Sequence, residues 1–303
     1  MANIVVIGSS NTDMVVKTSR FPLPGETILG GMFFMFAGGK GANQAVAAAR
    51  MGGKVSFVAK VGKDIFGEQA IKGFNNEGID TTHISIDETT ASGVALITVD
   101  AKGENEIVVA PGANNLLEEK NILSAEVVIA EAEIILLQLE VPIATVTFAC
   151  RKAFELGKKV ILNPAPACTL PAEIYPHLYL ITPNETEASL LTGIEVIDEK
   201  SADVAADKLL SYGVQNVIIT LGSKGAYFKN KELSFLTTTE KVEAIDTTAA
   251  GDIFNGAIAV ALAETNSWQK AILLACKAAT ISVTRMGAQA SAPLRCEVEE
   301  ALP

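Results

Sequence analysis

From Leu116 onward the chain repeats one pattern, a short apolar run, a polar cluster and then a helical stretch, and this limits the folds open to it. The run 134–139 ends in Glu140, and 160–162 ends in Asn163-Pro164-Ala165-Pro166. The run 180–182 ends in Pro183-Asn184-Glu185-Thr186-Glu187, and 217–219 in Thr220-Leu221-Gly222-Ser223-Lys224-Gly225. Runs this short and continuously apolar are strands covered on both faces, as in a parallel sheet flanked by helices. Alternation of strand and helix implies right-handed crossovers, so the strand carboxyl ends share one rim, where open α/β sheets bind ligands. The N-terminal half begins likewise: residues 4–7 stop at Gly8-Ser9-Ser10, with Asn11 and Asp13 just beyond. Residues 55–61 read as a further strand, and 64–77 as a helix stopped by Gly78. Taken singly, these clusters also read as caps and turns: Glu140 as a helix-start carboxylate, Asn184 and Glu187 as caps, Gly222 and Gly225 as turn residues. Their convergence on one rim is what points to a site.

Between the halves the texture changes. Residues 93–99 and 107–110 flank the polar turn Asp100-Ala101-Lys102-Gly103-Glu104, a hairpin signal. With 11–17 and 29–37 these segments predict a small antiparallel lid sheet (strands near 11–17, 29–37, 93–99 and 106–111) inserted into one α/β domain spanning residues 1–303. Met32-Phe33-Phe34-Met35-Phe36 has no alternation, so it is expected to need cover on both faces, from the pocket, the main body or a second subunit.

The densest chemistry lies in residues 246–256. After the strand-like Val242-Glu243-Ala244-Ile245 comes Asp246-Thr247-Thr248-Ala249-Ala250-Gly251, then Asp252 at the start of an Ala-rich helix reaching about Glu264. The first N–H groups of a helix lack internal partners and sit at its positive end, so Ala249, Ala250 and Gly251 can present an anion hole. A carboxylate beside such a hole fits a base that deprotonates an attacking hydroxyl. Its plainer reading is a first-turn acid complementing the helix dipole. A second glycine-rich segment, Ala37-Gly38-Gly39-Lys40-Gly41-Ala42-Asn43-Gln44-Ala45, leads into a helix ending near Arg50, with Lys40 and Asn43 as donors. No Gly-Lys pair carries the following Ser or Thr of a P-loop. Carbonyls of the turn 286–291 could face those of 246–248, a cluster of oxygens suited to a monovalent cation.

Composition narrows the partners. With 49% hydrophobic and 19% charged residues the chain is globular, and a formal charge of −11 without a basic aromatic cluster gives nucleic-acid binding no support. Cys150, Cys168, Cys276 and Cys296 are scattered, and His83 and His177 lie far apart, which predicts neither a disulfide framework nor a zinc site. The N-terminal apolar run is too short for a signal peptide or a membrane span, so a cytoplasmic location is expected.

The segment Asp-Thr-Thr-Ala-Ala-Gly-Asp-x-Phe-Asn-Gly at 246–256 is similar to the C-terminal signature of the ribokinase family of carbohydrate kinases, and Gly-Gly-Lys-Gly-Ala-Asn-Gln-Ala at 38–45 resembles its N-terminal signature. The likeness runs from Gly8-Ser9-Ser10-Asn11-Thr12-Asp13 to Arg285-Met286-Gly287-Ala288-Gln289. It implies a three-layer αβα fold with a mostly parallel sheet, and ATP-dependent transfer of the γ-phosphoryl group to the 5-hydroxyl of D-ribose. By that resemblance Asp252 is the base, and the amides of Ala249, Ala250 and Gly251 steady the migrating group. The sugar is held by Asn11, Asp13, Gly39, Lys40, Asn43, Glu140 and Asp252. ATP lies along Asn184, Thr220, Gly222, Ser223 and Gly225, with Gly251 beneath its phosphates, and Asn184 and Glu187 organise Mg²⁺ through water. K⁺ sits among Asp246, Thr248, Ser282, Arg285, Gly287 and Ser291, mostly on backbone oxygens. Cys276 stands near the adenine, where family members carry His or Asn. The resemblance further implies a homodimer clasped through the lid sheets. Two other readings stay open: a kinase of this family acting on deoxyribose, fructose or a nucleoside, and a non-catalytic sugar-binding regulator.

Overall fold

A computed structural model describes residues 2–265 and 267–302 of the chain. Its strands are β1 (Asn3–Ile7), β2 (Asn11–Lys17), β3 (Met32–Gly38), β4 (Lys54–Gly62), β5 (Ile84–Asp87), β6 (Gly93–Val99), β7 (Asn105–Ala110), β8 (Ile134–Leu137), β9 (Lys159–Leu162), β10 (Leu180–Ile181), β11 (Asn216–Thr220), β12 (Ala226–Asn230) and β13 (Ser234–Thr237). The α-helices are α1 (Lys40–Arg50), α2 (Ile65–Asn76), α3 (Glu119–Ser124), α4 (Glu126–Glu131), α5 (Ile143–Glu155), α6 (Glu185–Thr192), α7 (Glu199–Ser211), α8 (Ala250–Glu264), α9 (Trp268–Ser282) and α10 (Arg295–Glu300).

The main sheet has nine strands in the order β13-β12-β11-β10-β9-β8-β1-β4-β5. It is parallel from β11 to β5, and β12 and β13 extend it as an antiparallel edge. Successive side chains of a strand point to opposite faces, which divides the core cleanly. Ile134 and Leu136 pack with α1, α8 and α9 on one side, while Ile135 and Leu137 pack with α5 and α7 on the other. Each such burial contributes about 1.5–3 kcal/mol before chain entropy is counted, so strands apolar on both faces settle only in the middle of three layers. Among the described residues no helix is long and apolar enough to cross a membrane.

The second sheet, β3-β2-β6-β7, carries the strands expected of the lid. Its outer pairs are antiparallel as anticipated, but the central pair β2 and β6 is parallel, from Asn11 opposite Gly93 to Lys17 opposite Val99. The cause is in the main sheet: β2 follows β1, β6 follows β5, and those parallel strands direct both outward from one rim. Met32, Phe33 and Met35 of β3 are exposed, so in the single chain the apolar run lacks the cover expected for it. Residues 242–245 form no strand; the chain is tied instead to the end of α9, where Ile245 N and Asp246 N both donate to Val283 O. The β12–β13 hairpin was not expected from the sequence.

Helix α8 is buried continuously from Asp252 to Leu262. It packs so tightly on α1 that a Cβ at Gly256 would lie 2.5 Å from Ala47 Cβ and 2.6 Å from Gln44 O. Gly256→Ala should therefore force the helices apart and lower stability by about 1–3 kcal/mol in urea unfolding. An unchanged midpoint would show that α1 and α8 separate freely.

Candidate active site

The order of the main sheet reverses at β1, which has β4 on one side and β8 on the other, making the β1/β8 crevice a topological switch point. Residues following these two strands meet there. Ser9 Oγ donates to Glu140 Oε2 at 2.6 Å, and the backbone N–H of Lys40, at the start of α1, donates to the same oxygen at 2.9 Å. Asn11 Oδ1 accepts from Asn114 Nδ2 at 2.8 Å, while Asn114 Oδ1 accepts from Ser10 N at 2.9 Å, so the Asn11 amide is held through its oxygen. Two glycines make room: a Cβ at Gly38 would sit 2.2 Å from Asp13 Oδ2, and Gly39, at φ 90°, one would sit 2.6 Å from Asn11 N.

Asp252 lies at the inner end of this crevice, 5% exposed. Asn43 Nδ2 donates to its Oδ2 at 2.9 Å and Gln44 Nε2 to its Oδ1 at 3.0 Å. Burial pushes the Asp252 carboxyl above its ordinary value, against Lys40 and the two amide donors, which favour the ionised form. Among the described residues Lys40 is the one ammonium facing Asp252, Glu140, Glu187 and Asp13; burial opposes its charge, but those carboxylates outweigh burial and hold it above the usual lysine value. Burial, then Glu140 and Asp252, lift Asp13 to about 6 while Lys40 opposes. Burial likewise raises Glu187.

The start of α8 faces the same space. Ala249, at φ 63°, is the one non-glycine at positive φ among the described residues, and it turns the chain sharply into the helix. The amides of Ala249 and Gly251 make no hydrogen bond among the described residues, whereas Ala250 N reaches Thr247 O at 3.3 Å. A Cβ on Gly251 would meet no protein atom within 4 Å, so the space above it is open to a ligand. Two cavities meet at Ala250 and Gly251. The larger, about 620 Å³, runs along Asn184, Thr220, Gly222, Ser223, Gly225 and Cys276; the smaller, about 220 Å³, is lined by Lys40, Asn163, Glu187 and Asp252.

The family model described as pfkB family carbohydrate kinase matches residues 1–295. The chain belongs to that family. A ribokinase of Haemophilus influenzae is 47% identical over 299 residues, covering 99% of this chain and 98% of the relative. A deoxyribokinase of Salmonella typhi is 38% identical over 292 residues, covering 96% and 95%. The solved ribokinase of Arabidopsis thaliana complexed with ribose and ATP superposes with a TM-score of 0.92 at 31% identity, covering 99% of this chain and 98% of that one. The three-layer architecture and the phosphotransferase class expected from the sequence follow from these matches.

Within this carbohydrate-kinase frame the structure brings Asn11, Asp13, Gly39, Lys40, Asn43, Glu140 and Asp252 to one crevice. Asn184 and Glu187 are close together, but as a capping box on α6: Asn184 Oδ1 accepts from Glu187 N at 2.8 Å and Glu187 Oε2 from Asn184 N at 2.9 Å. Asp246 joins the two turns singled out for a cation, accepting from Thr248 N and Gly287 N at 2.9 Å each. Ser282 and Ser291 turn their hydroxyls onto Ala279 O and Ala288 O, and the Arg285 guanidinium pairs with Glu297, so only their oxygens and backbone remain for an ion. Cys276 lines the larger cavity, its thiol pushed by burial to about 12. Sequence reading missed Ser9, Asn114, Gln44 and Asn163. Gln44 lay inside a quoted motif and Asn163 directly after a strand; Asn114, in an irregular stretch, gave no signal.

A carboxyl whose folded pKa is raised gives stability that is complete below the unfolded value, 3.8, and lost as pH rises through about 6. Asp13→Asn should therefore raise the melting temperature by roughly 2–4 °C at about pH 8, with the gain shrinking toward pH 4. Calorimetric scans across that range check this, and a gain largest in acid would contradict it.

Proposed function

We propose that this carbohydrate kinase transfers the γ-phosphoryl group of ATP to the 5-hydroxyl of D-ribose, giving D-ribose 5-phosphate and ADP. The observation that carries the reading is the junction of the two cavities at Ala250 and Gly251, with the Asp252 carboxylate on one side and a nucleotide-sized space on the other. The relatives' names, ribokinase above all, supply the sugar.

Each carboxylate oxygen of Asp252 accepts one amide and keeps a lone pair for the hydroxyl proton. As that proton passes to Asp252, the sugar oxygen bonds to the γ-phosphorus and the bond to the β-phosphate oxygen breaks. Negative charge on the migrating group falls to the amides of Ala249 and Gly251, with Ala250 as the weaker donor, at the positive end of α8. Asn43 Oδ1 is buried without a partner among the described residues, an acceptor that a sugar hydroxyl would satisfy. Asn11, Asp13, Gly39, Lys40 and Glu140 complete the sugar site in this reading, and Asn184, Thr220, Gly222, Ser223, Gly225 and Cys276 the ATP site.

The chemistry of the donors agrees with Mg²⁺ and K⁺. Four carboxylates face a single ammonium, so a triphosphate brought there needs added cations, and Mg²⁺ supplies charge neutralisation for phosphoryl transfer. Glu187, with Asn184, would hold its water shell. The oxygens of Asp246, Thr248, Ser282, Arg285, Gly287 and Ser291 would hold K⁺ behind the first turn of α8. The small sheet would act as the lid of one kinase domain, keeping water from the phosphoryl group. Its exposed Met32, Phe33 and Met35 suit pairing with a second copy. A cytoplasmic location, where ATP is supplied, belongs to the same proposal.

ADP release measured over a panel of pentoses, hexoses and nucleosides should give D-ribose the highest kcat/KM, with 2-deoxyribose behind it because polar groups built for the missing hydroxyl are left unpaired. A better deoxyribose would move the reading to the activity named for the Salmonella typhi relative. Asp252→Asn should lower kcat by about 10³-fold or more while sugar affinity changes little; near-normal turnover would remove Asp252 as the base. Rates at fixed MgATP should rise when K⁺ replaces Na⁺, and equal rates would count against the cation site.

A further inference from the structure

Asp252 is joined to the first turn of its own helix by a second route, made of buried uncharged side chains. Gln44 Nε2 donates both to Asp252 Oδ1 and to Asn163 Oδ1, each at 3.0 Å, and Gln138 Nε2 donates to Gln44 Oε1 at 2.6 Å. Asn163 Nδ2 then donates to Thr182 O at 3.2 Å, Thr182 Oγ1 to Asn255 Oδ1 at 2.6 Å, and Asn255 Nδ2 to Gly251 O at 2.8 Å. Gln44 and Gln138 are both wholly buried.

The direction of the chain follows from its charged end. An ionised carboxylate only accepts, so Gln44 must turn its NH₂ toward Asp252, and its carbonyl then requires a donor, which Gln138 supplies. Gln138 Oε1 is left buried with no partner among the described residues. An orphaned buried carbonyl is unfavourable, and an apolar side chain at position 138 would avoid it. What the arrangement secures is polarity: Asp252 Oδ1 as an acceptor sets the Gln44 amide and through it Gln138, while the carbonyls of Thr182 and Gly251 set Asn163 and Asn255.

We propose that Gln44, backed by Gln138 and Asn163, is a positioning residue that locks the Asp252 carboxylate in one rotamer and keeps it in the proton-accepting form. The inference rests on Asp252 being the base. Other groups facing Asp252 are Lys40 at the start of α1, Glu140 after β8, Asp13 on β2 and Glu187 on α6. They set the baseline titration and are untouched by uncharged substitutions at 44 and 138. A hydrogen bond to the charged form lowers a carboxyl's pKa, so removing one moves the pKa up.

The test is the pH profile of kcat/KM for the sugar that the wild-type enzyme uses best, in Gln44→Met and Gln138→Leu full-length protein. Gln44→Met should move the acid limb up by about one pH unit, a roughly tenfold loss below the limb that recovers at alkaline pH. Gln138→Leu should shift it in the same direction by less, with sugar affinity by calorimetry held within about threefold of wild type in both. A limb that stays in place, whether activity is unchanged or falls equally at every pH, overturns the proposal. If Gln44→Met does not fold, Gln138→Leu decides by the same criterion. Asp252→Asn is measured alongside: turnover retained there refutes the base assignment, whereas turnover abolished there with an unmoved limb refutes only the role of Gln44.

Discussion

The approach of α1 to α8 is the constraint on which the site depends. Two helix glycines set it. Gly256 admits the backbone of Gln44 and Ala48, and Gly41 lets the start of α1 press on the end of β1, where a Cβ would lie 2.5 Å from Ser9 N. Each glycine costs about 0.5–1 kcal/mol relative to alanine within a helix, a loss that only close packing explains. At this separation Asn43 and Gln44, adjacent on α1, both reach Asp252 on α8. Backbone contact between helices thereby becomes an oriented carboxylate.

Electrostatics at the crevice works against the folded protein and in favour of chemistry. Asp13, Glu187 and Asp252 all titrate above their ordinary values, chiefly through burial, and Lys40 alone cannot neutralise them. In the proposed reaction, hydroxyl donors and cations would relieve this, since both favour the charged carboxylates.

Much of this was legible in the chain. Short apolar runs such as 134–137 must lie in a sheet covered on both faces, and polar clusters at their ends must share a rim, so the crevice residues Glu140 and Asn184 and the turn before Asp252 could be placed together. Cross-strand direction was not legible: β2 and β6 are parallel because of the strands they follow, which no local pattern records. Residues 242–245 had a strand-like composition, but their backbone is tied to the end of α9 at Val283. The chain of Gln44, Gln138, Asn163, Thr182 and Asn255 was also hidden, since its members come from five separate segments and each resembles an ordinary polar residue until helix packing aligns them.

The parallel pairing of β2 with β6 has a mechanical consequence. All four crossings between the small sheet and the body fall at one end of it: Gly38, Asn11 and Gly93 stand in one row, and Ala110 lies opposite Val94 beside it. Glycines flank that row: Gly39 and Gly112 have positive φ, and a Cβ at Gly93 would collide with Asn11 Oδ1. The backbone thus enters and leaves the sheet along one end, and β3 touches the body again where Phe36 nears Gly287. A side chain placed at that row, as at Gly93, therefore acts directly on Asn11, whereas Lys17, Met32 and Val99 lie a whole strand away from it.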